Sequence, residues 1–203
     1  MRFGWYRTFF GMAFAFAAIA VKAAALEVRV TDASGKPIPG AVIHLESPEA
    51  KQVAKPLSGI EIAQANKTFV PIVTVVPVGT SIAFPNRDTV RHHVYSFSSA
   101  KRFEIKLYVG TPANPVVFDR PGIAVLGCNI HDHMAAWVVV VETPWYGQTD
   151  SEGRWRASNV PVGNYRLRTW HTDLPVGSPA LEQPLTVGTA GTQAFVTLTG
   201  LRP

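Results

Sequence analysis

The sequence predicts an all-β protein made of β-sandwiches. Runs rich in valine, isoleucine, threonine and aromatic residues recur along the chain, and turns containing glycine, proline, asparagine or aspartate separate them. No segment repeats its apolar residues with a 3.6-residue period over three helical turns. Short strands at this spacing are typical of sandwiches rather than of helical or α/β folds.

The strand predictions follow from residue type and from the turns between the runs. Residues 26–30 alternate apolar with polar side chains, and residues 32–40 are dense in turn formers before the next β-rich run. We predict strands at residues 26–30, 41–45, 69–76, 81–84, 93–97, 116–119, 123–126, 135–141, 154–157, 164–170, 183–187 and 193–199.

The first 25 residues have the pattern of a secretory signal peptide. Arg2 and Arg7 precede an apolar run at residues 9–21, and three alanines follow at 23–25. The run is shorter than the ~20 residues that a spanning helix needs. Lys22 near the cleavage region leaves an uncleaved membrane anchor as an alternative. We expect a mature chain that begins near Leu26 and is exported to the periplasm.

The charge of the chain gives little reason to expect a nucleic-acid partner. The formal net charge is +5, but three positive charges (Arg2, Arg7 and Lys22) lie in the predicted signal peptide, which leaves 5 − 3 = +2. No run of lysine and arginine follows.

Cys128 is the only cysteine. An exported chain with one cysteine forms no internal disulfide, so this thiol pairs with another chain, has a chemical role, or is buried and inert. Metal ligation would protect it in an oxidising compartment.

The residues after Cys128 favour a metal-binding role. The segment 128–134 reads Cys-Asn-Ile-His-Asp-His-Met, which places an imidazole three residues after the thiol and a thioether three residues further on. A thiolate, imidazole nitrogen and a weak axial thioether are the donors of a blue copper site. The pattern leaves two roles for His133: it is either a surface residue or a ligand that displaces Met134.

Such a site needs a second imidazole, which His92 or His93 can supply. Side chains alternate across a strand, so only one of the two histidines should face the site. The alternation itself does not decide which one.

The middle block, residues 64–142, resembles the cupredoxins. The matching segments are residues 84–86 (Phe-Pro-Asn), 92–94 (His-His-Val) and 128–134. The resemblance implies a Greek-key sandwich that holds one type 1 copper. It also favours His92, which follows Asn86 by six positions as in that family. The implied ligands are His92, Cys128, His131 and Met134.

The flanking segments resemble a different family, the carboxypeptidase regulatory-like or transthyretin-like sandwiches. Residues 31–41 resemble the start of that module, and residues 149–155 and 159–167 resemble its later part. The resemblance implies that residues 26–63 and 143–203 form one smaller sandwich into which the cupredoxin domain, residues 64–142, is inserted. Surface turns tolerate such insertions.

The expected function is redox or metal carriage rather than catalysis. The sequence contains no nucleophile elbow, zinc-protease motif, P-loop or dinucleotide fingerprint. We expect a carrier of single electrons between redox proteins such as a dehydrogenase or a c-type cytochrome. The alternative is a protein that stores, senses or delivers copper. Electron transfer is expected at the exposed edge of His131, flanked by Pro112, Met134, Ala135 and Ala136.

Across its length the chain also resembles small exported bacterial proteins labelled methylamine utilization proteins. The shared stretches are residues 84–86, 92–98, 127–132 and 165–171. The label reflects an analogy to amicyanin and says little about a substrate.

Overall fold

The computed structural model describes residues 23–202, which form seventeen β-strands and one short helix. The elements are β1 Ala23–Thr31, β2 Val42–Glu46, α1 Pro48–Val53, β3 Ile60–Glu61, β4 Ala63–Ala65, β5 Thr68–Val70, β6 Val73–Pro77, β7 Thr80–Ala83, β8 His92–Phe97, β9 Arg102–Tyr108, β10 Val116–Phe118, β11 Gly122–Gly127, β12 Ala135–Val141, β13 Tyr146–Gln148, β14 Arg154–Pro161, β15 Gly163–Trp170, β16 Leu181–Val187 and β17 Thr192–Thr197. The all-β class predicted from the sequence is confirmed.

Most of the predicted signal peptide, residues 1–22, lies outside the described residues. Residues 23–25 open β1, where Ala23 pairs with Pro161 and Ala24 is buried. Within residues 23–202, no helix is both long enough and apolar enough to cross a bilayer.

The first and last parts of the chain form one sandwich, which we call the outer sandwich (residues 23–46 and 146–197). One sheet has the order β14-β1-β17 and the other β13-β2-β15-β16. Every second residue of β1 is buried, which explains its alternating sequence. Leu26, Val28 and Val30 pack with Leu45 and Leu167 in the core between these sheets.

Residues 60–141 form a second sandwich, which we call the middle sandwich. A five-stranded sheet, β6-β12-β11-β8-β9, faces a smaller sheet, β10-β7-β3, and β4 and β5 form a separate hairpin. The core between them contains Phe69, Phe84 and Phe118, and also Cys128 and Met134. Both sulfur-containing side chains therefore belong to the apolar interior of this sandwich.

A third apolar cluster joins the two sandwiches. Val42 and Trp170 of the outer sandwich pack with Val139 and Val141 of the middle sandwich. As a result β2 and β12 have both faces covered, and Val138–Val141 are all buried. A strand buried on both faces reads as a continuous apolar run rather than an alternation, which explains the valine run at 138–141.

Strand pairing changes partner between α1 and β3. β1 and β2 pair only with strands after residue 145, whereas β3 pairs with β7 of the middle sandwich. This change falls a few residues before the boundary of 63/64 that we expected from the sequence. The inserted arrangement and the likeness of the outer sandwich to transthyretin-like modules remain predictions.

The short strands β3, β4 and β13 were not predicted from the sequence, and the elements differ from the predictions in three further places. The expected strand 69–76 is divided into β5 and β6. Residues 48–53 form α1, a helix of six residues that is too short to show a helical period in the sequence. Ser47 caps this helix, because its hydroxyl accepts a hydrogen bond from the amide of Ala50 (3.1 Å). β9 was not predicted, although Phe103 and Ile105 alternate with charged residues and pack on the core.

His44 of β2 is buried next to the boundary between the two sandwiches. Its Nδ1 has no hydrogen-bond partner within residues 23–202, and the closest carboxylate oxygen, Oε1 of Glu46, lies 3.7 Å away. Glu46 is itself bound by Arg168 through Nε at 3.1 Å. Burial, and then the positive charge of Arg168, lower the pKa of His44 to about 4.

We expect His44 to make the fold less stable in mild acid. The unfolded chain takes up a proton near the ordinary pKa of 6.5, whereas folded His44 does so only near pH 4, so the free energy of unfolding falls as the pH drops through this window. The contribution is about 3 kcal/mol between pH 7 and pH 4. Urea denaturation at several pH values measures it. His44→Gln should flatten this dependence, and an unchanged pH profile in that variant would contradict the assignment.

Candidate metal centre

The predicted ligands come from two neighbouring regions at one end of the middle sandwich. His92 is the first residue of β8, Cys128 follows β11 directly, and Met134 immediately precedes β12. β11 pairs with both β8 and β12, so the ends of these strands lie side by side. The loop at residues 128–134 is closed by a hydrogen bond from the amide of Met134 to the carbonyl of His131 (2.9 Å).

Three of the predicted ligands meet in space. One ligand atom each from His92, Cys128 and His131 lie within 4.8 Å of one another. Sγ of Cys128 is 3.9 Å from Nδ1 of His92, and the ring centroids of His92 and His131 are 5.1 Å apart. A thiol and two imidazoles therefore converge on one point.

Asp88 fixes the orientation of His92. Nε2 of His92 donates a hydrogen bond to Oδ2 of Asp88 (2.7 Å), which leaves Nδ1 unprotonated in the neutral ring and directed at Cys128. A histidine that binds a metal through one nitrogen usually donates from the other to a carboxylate or carbonyl. The structure thus contains the outer partner that a metal-binding His92 requires.

Asp88 is held in turn by the turn between β4 and β5. Its two carboxylate oxygens accept hydrogen bonds from the amides of Asn66 (2.7 Å) and Lys67 (2.9 Å), both of which have positive φ. Burial acts to raise the pKa of Asp88, but the hydrogen bonds from Lys67, His92 and Asn66 lower it below its usual value. The carboxylate is therefore ionised where it faces His92.

His131 lies at the surface edge of the cluster and is half-buried. Its Nδ1 is buried yet has no hydrogen-bond partner within the described chain. Burial, and then the charges of His92, Lys67 and His133, lower the pKa of His131. A neutral imidazole with an unpartnered buried nitrogen is the form that binds a metal.

The two sulfur residues line the interior side of the cluster. Cys128 is 4 % exposed and Met134 is 2 % exposed, and both belong to the core of the middle sandwich. Tyr108 lies close by and donates its hydroxyl proton to the carbonyl of Phe84 (2.8 Å). Burial, and then the charge of Cys128, raise the pKa of Tyr108.

The residue before Cys128 is a glycine, and the tip of the Tyr95 ring occupies the space beside it. Gly127 pairs with Tyr95 across β11 and β8, and a Cβ built on Gly127 would lie 2.7 Å from Cζ of the Tyr95 ring. A side chain here would have to displace the tip of the Tyr95 ring. Because His92 and Cys128 sit at the ends of these two strands, the close approach at Gly127 helps to bring them together.

The other two histidines have partners outside the cluster. His93 is buried, and its Nε2 donates to Oε1 of Glu104 (2.9 Å) while its ring stacks near Tyr95. His133 is exposed, and its Nε2 donates to the carbonyl of Lys67 (3.1 Å). The structure therefore brings His92, rather than His93, to Cys128, and leaves His133 at the surface.

The donor set fits copper. Metal–sulfur and metal–nitrogen bonds are about 2.3 and 2.0 Å long at zinc, and we take the same lengths here. If the two bonds meet at a trigonal angle, the sulfur and the nitrogen lie about 3.7 Å apart. The observed 3.9 Å between Sγ of Cys128 and Nδ1 of His92 is close to this value. Thiolate with imidazole, and a buried thioether on the same loop, is a combination that suits copper better than zinc or calcium.

Part of the chain is similar in structure to solved proteins. No protein-family model matches the chain, and no curated protein matches it. Solved structures that resemble it include a purple cupredoxin from Nitrosopumilus maritimus, with 21% identity over 40% of this chain and 99% of that chain and a TM-score of 0.36. A reduced Cu(I) form of an amicyanin mutant has 20% identity over 49% of this chain and 98% of that chain, with a TM-score of 0.38.

A copper-containing nitrite reductase from Thermus scotoductus has 19% identity and a TM-score of 0.38. The match covers 56% of this chain but only 28% of the nitrite reductase. The interpretation of this protein therefore depends on its own donor set and its surroundings.

Proposed function

We propose that this protein is a type 1 copper protein that carries single electrons. The observation that supports this most strongly is the convergence of His92, Cys128 and His131 beside buried Met134. One copper ion held there would supply a one-electron couple between Cu(II) and Cu(I). The thiolate and thioether favour the reduced ion, and the imidazoles are acceptable to both states.

The surroundings of the cluster suit electron transfer because they resist rearrangement. His92 is tied to Asp88, Asp88 is tied to the turn at residues 66–67, and His133 on the ligand loop donates to that same turn. One hairpin turn therefore holds both regions that carry ligands. Donors that keep their positions in both oxidation states lower the cost of moving an electron.

The proposed exit for the electron is the exposed edge of His131. The patch expected from the sequence needs correction, because Met134 and Ala136 are buried in the core and cannot contact a partner. Val90, Val109 and Ile130, on the loops before β8, after β9 and after β11, are apolar side chains that do reach the surface. The loops of Val90 and Val109 meet, because the Asn86 side-chain amide donates to the carbonyls of Val90 (2.8 Å) and Tyr108 (2.9 Å).

We further propose that the protein is exported to the periplasm and exchanges electrons with a partner such as a dehydrogenase or a c-type cytochrome. Export rests on the N-terminal pattern and on the single cysteine, which metal ligation would protect. In this proposal the outer sandwich is a transthyretin-like host module, and the protein is not an enzyme by itself.

Copper storage, sensing or delivery is the second candidate function. The observation that favours it is the half-exposed position of His131, which would allow a chelating partner to approach the ion from solvent. The two candidates differ in whether the reduced metal stays in the protein.

Retention of copper through a redox cycle separates them. The Cu(II)-loaded protein is expected to bleach with ascorbate and to recover at least about 90 % of its band on reoxidation with a Cu(I) chelator present, because soft sulfur donors hold Cu(I). Absorption and copper analysis after gel filtration measure this. Urea-unfolded protein is the control and should lose its copper to the same chelator. Loss of copper from the folded, reduced protein within minutes would instead support delivery.

A further inference from the structure

We propose that the space between the two sandwiches binds a neutral, flat aromatic compound that carries a hydroxyl group. We call this space the inter-sandwich cleft. It lies between the sheet β13-β2-β15-β16 of the outer sandwich and the sheet β6-β12-β11-β8-β9 of the middle sandwich, and residues 174–180 close one side of it. The site is separate from the copper cluster, because Cys128 and Met134 pack in the core on the opposite face of the five-stranded sheet.

The inter-sandwich cleft is a slot bounded by two sheet faces. Ile123 and Val125 of β11 line it, whereas the residues between and after them, Ala124 and Leu126, pack in the core of the middle sandwich. The two sheet faces touch at the apolar cluster that joins the sandwiches, and the cleft opens beside this cluster. Its volume is about 600 Å³, which is within the range of small-molecule sites. A slot between sheets admits a flat ring more easily than a bulky molecule.

The apolar lining of the inter-sandwich cleft includes a tryptophan from each sandwich. Trp137 of β12 is half-buried, Trp170 of β15 is 4% exposed, and their ring centroids lie 6.2 Å apart at an angle of 50°. Ile123, Val125 and Leu174 extend the apolar surface around these rings. Aromatic rings make favourable tilted or offset contacts with other rings, so this lining favours an aromatic ligand over an aliphatic one.

The charged side chains at the inter-sandwich cleft are paired with one another or with immediate neighbours. Both guanidinium groups lie 2.8–3.7 Å from carboxylate oxygens, and a lysine lies 2.7 Å from the remaining carboxylate. Three acidic and three basic residues form these pairs: Glu46, Glu142, Glu182, Lys51, Arg166 and Arg168. Because the charges balance, the cleft favours a neutral ligand over an ion.

His44 adds a polar group without a partner to the wall of the inter-sandwich cleft. It is 7% exposed, and within residues 23–202 its Nδ1 has no hydrogen-bond partner. The carboxylate of Glu46 lies 3.7 Å from Nδ1, which is too far for a hydrogen bond. Burial lowers the pKa of His44 to about 4, so the ring is neutral at neutral pH. A hydroxyl both donates and accepts, so it can pair with a neutral imidazole in either tautomer.

Three naphthalene derivatives test the proposed ligand class. Naphthol is flat, aromatic and neutral and carries one hydroxyl; naphthalene lacks the hydroxyl, and naphthoate is an anion. Isothermal titration calorimetry of the copper-loaded protein, kept reduced under argon, should give one naphthol site with a Kd of about 0.1 mM. Naphthalene should bind about 5- to 10-fold more weakly because it leaves His44 without a partner. Naphthoate should bind at least about 10-fold more weakly because it brings an unpaired charge into the cleft.

His44→Leu tests the hydrogen bond itself. Without the imidazole, the hydroxyl of naphthol loses its water partners on binding and gains no replacement. Naphthalene should therefore bind this variant at least as tightly as naphthol does. A purely structural role of His44 would weaken both compounds by the same factor and leave their ratio unchanged.

Ile123→Trp tests the location of the site. The larger side chain should fill part of the inter-sandwich cleft and weaken naphthol binding at least about 10-fold. Val117→Trp is the matched control, because Val117 is 43% exposed on β10, in the other sheet of the middle sandwich. It should change the Kd by less than about 2-fold. Thermal unfolding checks that each variant is folded.

Four results would overturn the proposal. They are the absence of naphthol binding, equal affinities of the wild type for naphthol and naphthalene, binding of naphthoate as tightly as naphthol, and equal weakening by Ile123→Trp and Val117→Trp. If His44→Leu does not fold, the three compounds and the two tryptophan variants still decide the matter. None of these results bears on the copper site, which the calorimetry does not probe.

Discussion

Cys128→Ser is expected to abolish the intense visible absorption of the Cu(II)-loaded protein. The strong band of such a site arises from charge transfer between thiolate and copper, and a serine hydroxyl stays protonated and is a poor donor to a soft ion. Copper affinity should fall by more than the roughly 10- to 100-fold that loss of an outer partner typically costs, because a direct ligand is lost. Absorption spectroscopy and competition with a copper chelator measure the two effects.

The substitution is nearly isosteric, so the fold should survive it. Cys128 is 4 % exposed and packs in the core of the middle sandwich, and thermal unfolding of the metal-free variant checks that this core is intact. A Cys128→Ser protein that folds normally and keeps the visible band would show that the chromophore does not contain Cys128.

His92→Ala is expected to abolish the site, and His93→Ala is expected to retain it. His92 contributes Nδ1 at 3.9 Å from the thiol sulfur, whereas His93 is bound to Glu104 and lies against Tyr95. The first variant should lose the band and bind copper more than about 100-fold more weakly, exceeding the typical loss for an outer partner. The second should bind copper with a shifted spectrum or reduced stability.

These two variants are matched controls for each other, because both remove a buried imidazole from adjacent positions of β8. Copper titration followed by absorption and by thermal unfolding compares them directly. If His93→Ala loses the band while His92→Ala keeps it, the geometry around Asp88 has been misassigned and the opposite face of β8 carries the ligand.

Most of the longer strands of the outer and middle sandwiches were predictable because their residue patterns reflect burial. β1 alternates and has one buried face, and the apolar run of β12 is buried on both faces. α1 could not be predicted from a helical period of apolar residues because it is only six residues long. Its first residues, Ser47 and Pro48, are nevertheless typical of a helix N-terminus. β9 was missed although Arg102, Glu104 and Lys106 alternate with Phe103, Ile105 and Leu107, which is the same pattern that predicts β1.

The site was only partly predictable. The spacing of Cys128, His131 and Met134 identifies the ligand loop directly, because these donors are local in sequence. The choice between His92 and His93 depended on the resemblance to cupredoxins. Alternation along a strand shows that the two side chains face opposite ways, but not which of them faces the site. Both histidines proved to be buried, and a bulge between His92 and Val94 interrupts the pairing with β9.

Asp88 was missed, and a single sequence offers little to identify it. It lies four residues before His92, but its role depends on the amides of Asn66 and Lys67, which are more than twenty residues away. The hydrogen bond from His133 to the Lys67 carbonyl likewise joins segments that are far apart in the sequence. Contacts between distant segments are set by the packing of the whole sandwich and leave no local pattern.

X-ray absorption at the copper edge of the protein loaded with one equivalent of Cu(II) tests the central claim most directly. The arrangement of His92, Cys128 and His131 predicts one short copper–sulfur distance and two copper–imidazole distances, with copper bound one to one. The short sulfur distance should disappear in Cys128→Ser, and one imidazole should disappear in His92→Ala. A wild-type spectrum with only nitrogen and oxygen neighbours would contradict the assignment of this cluster as a thiolate copper site.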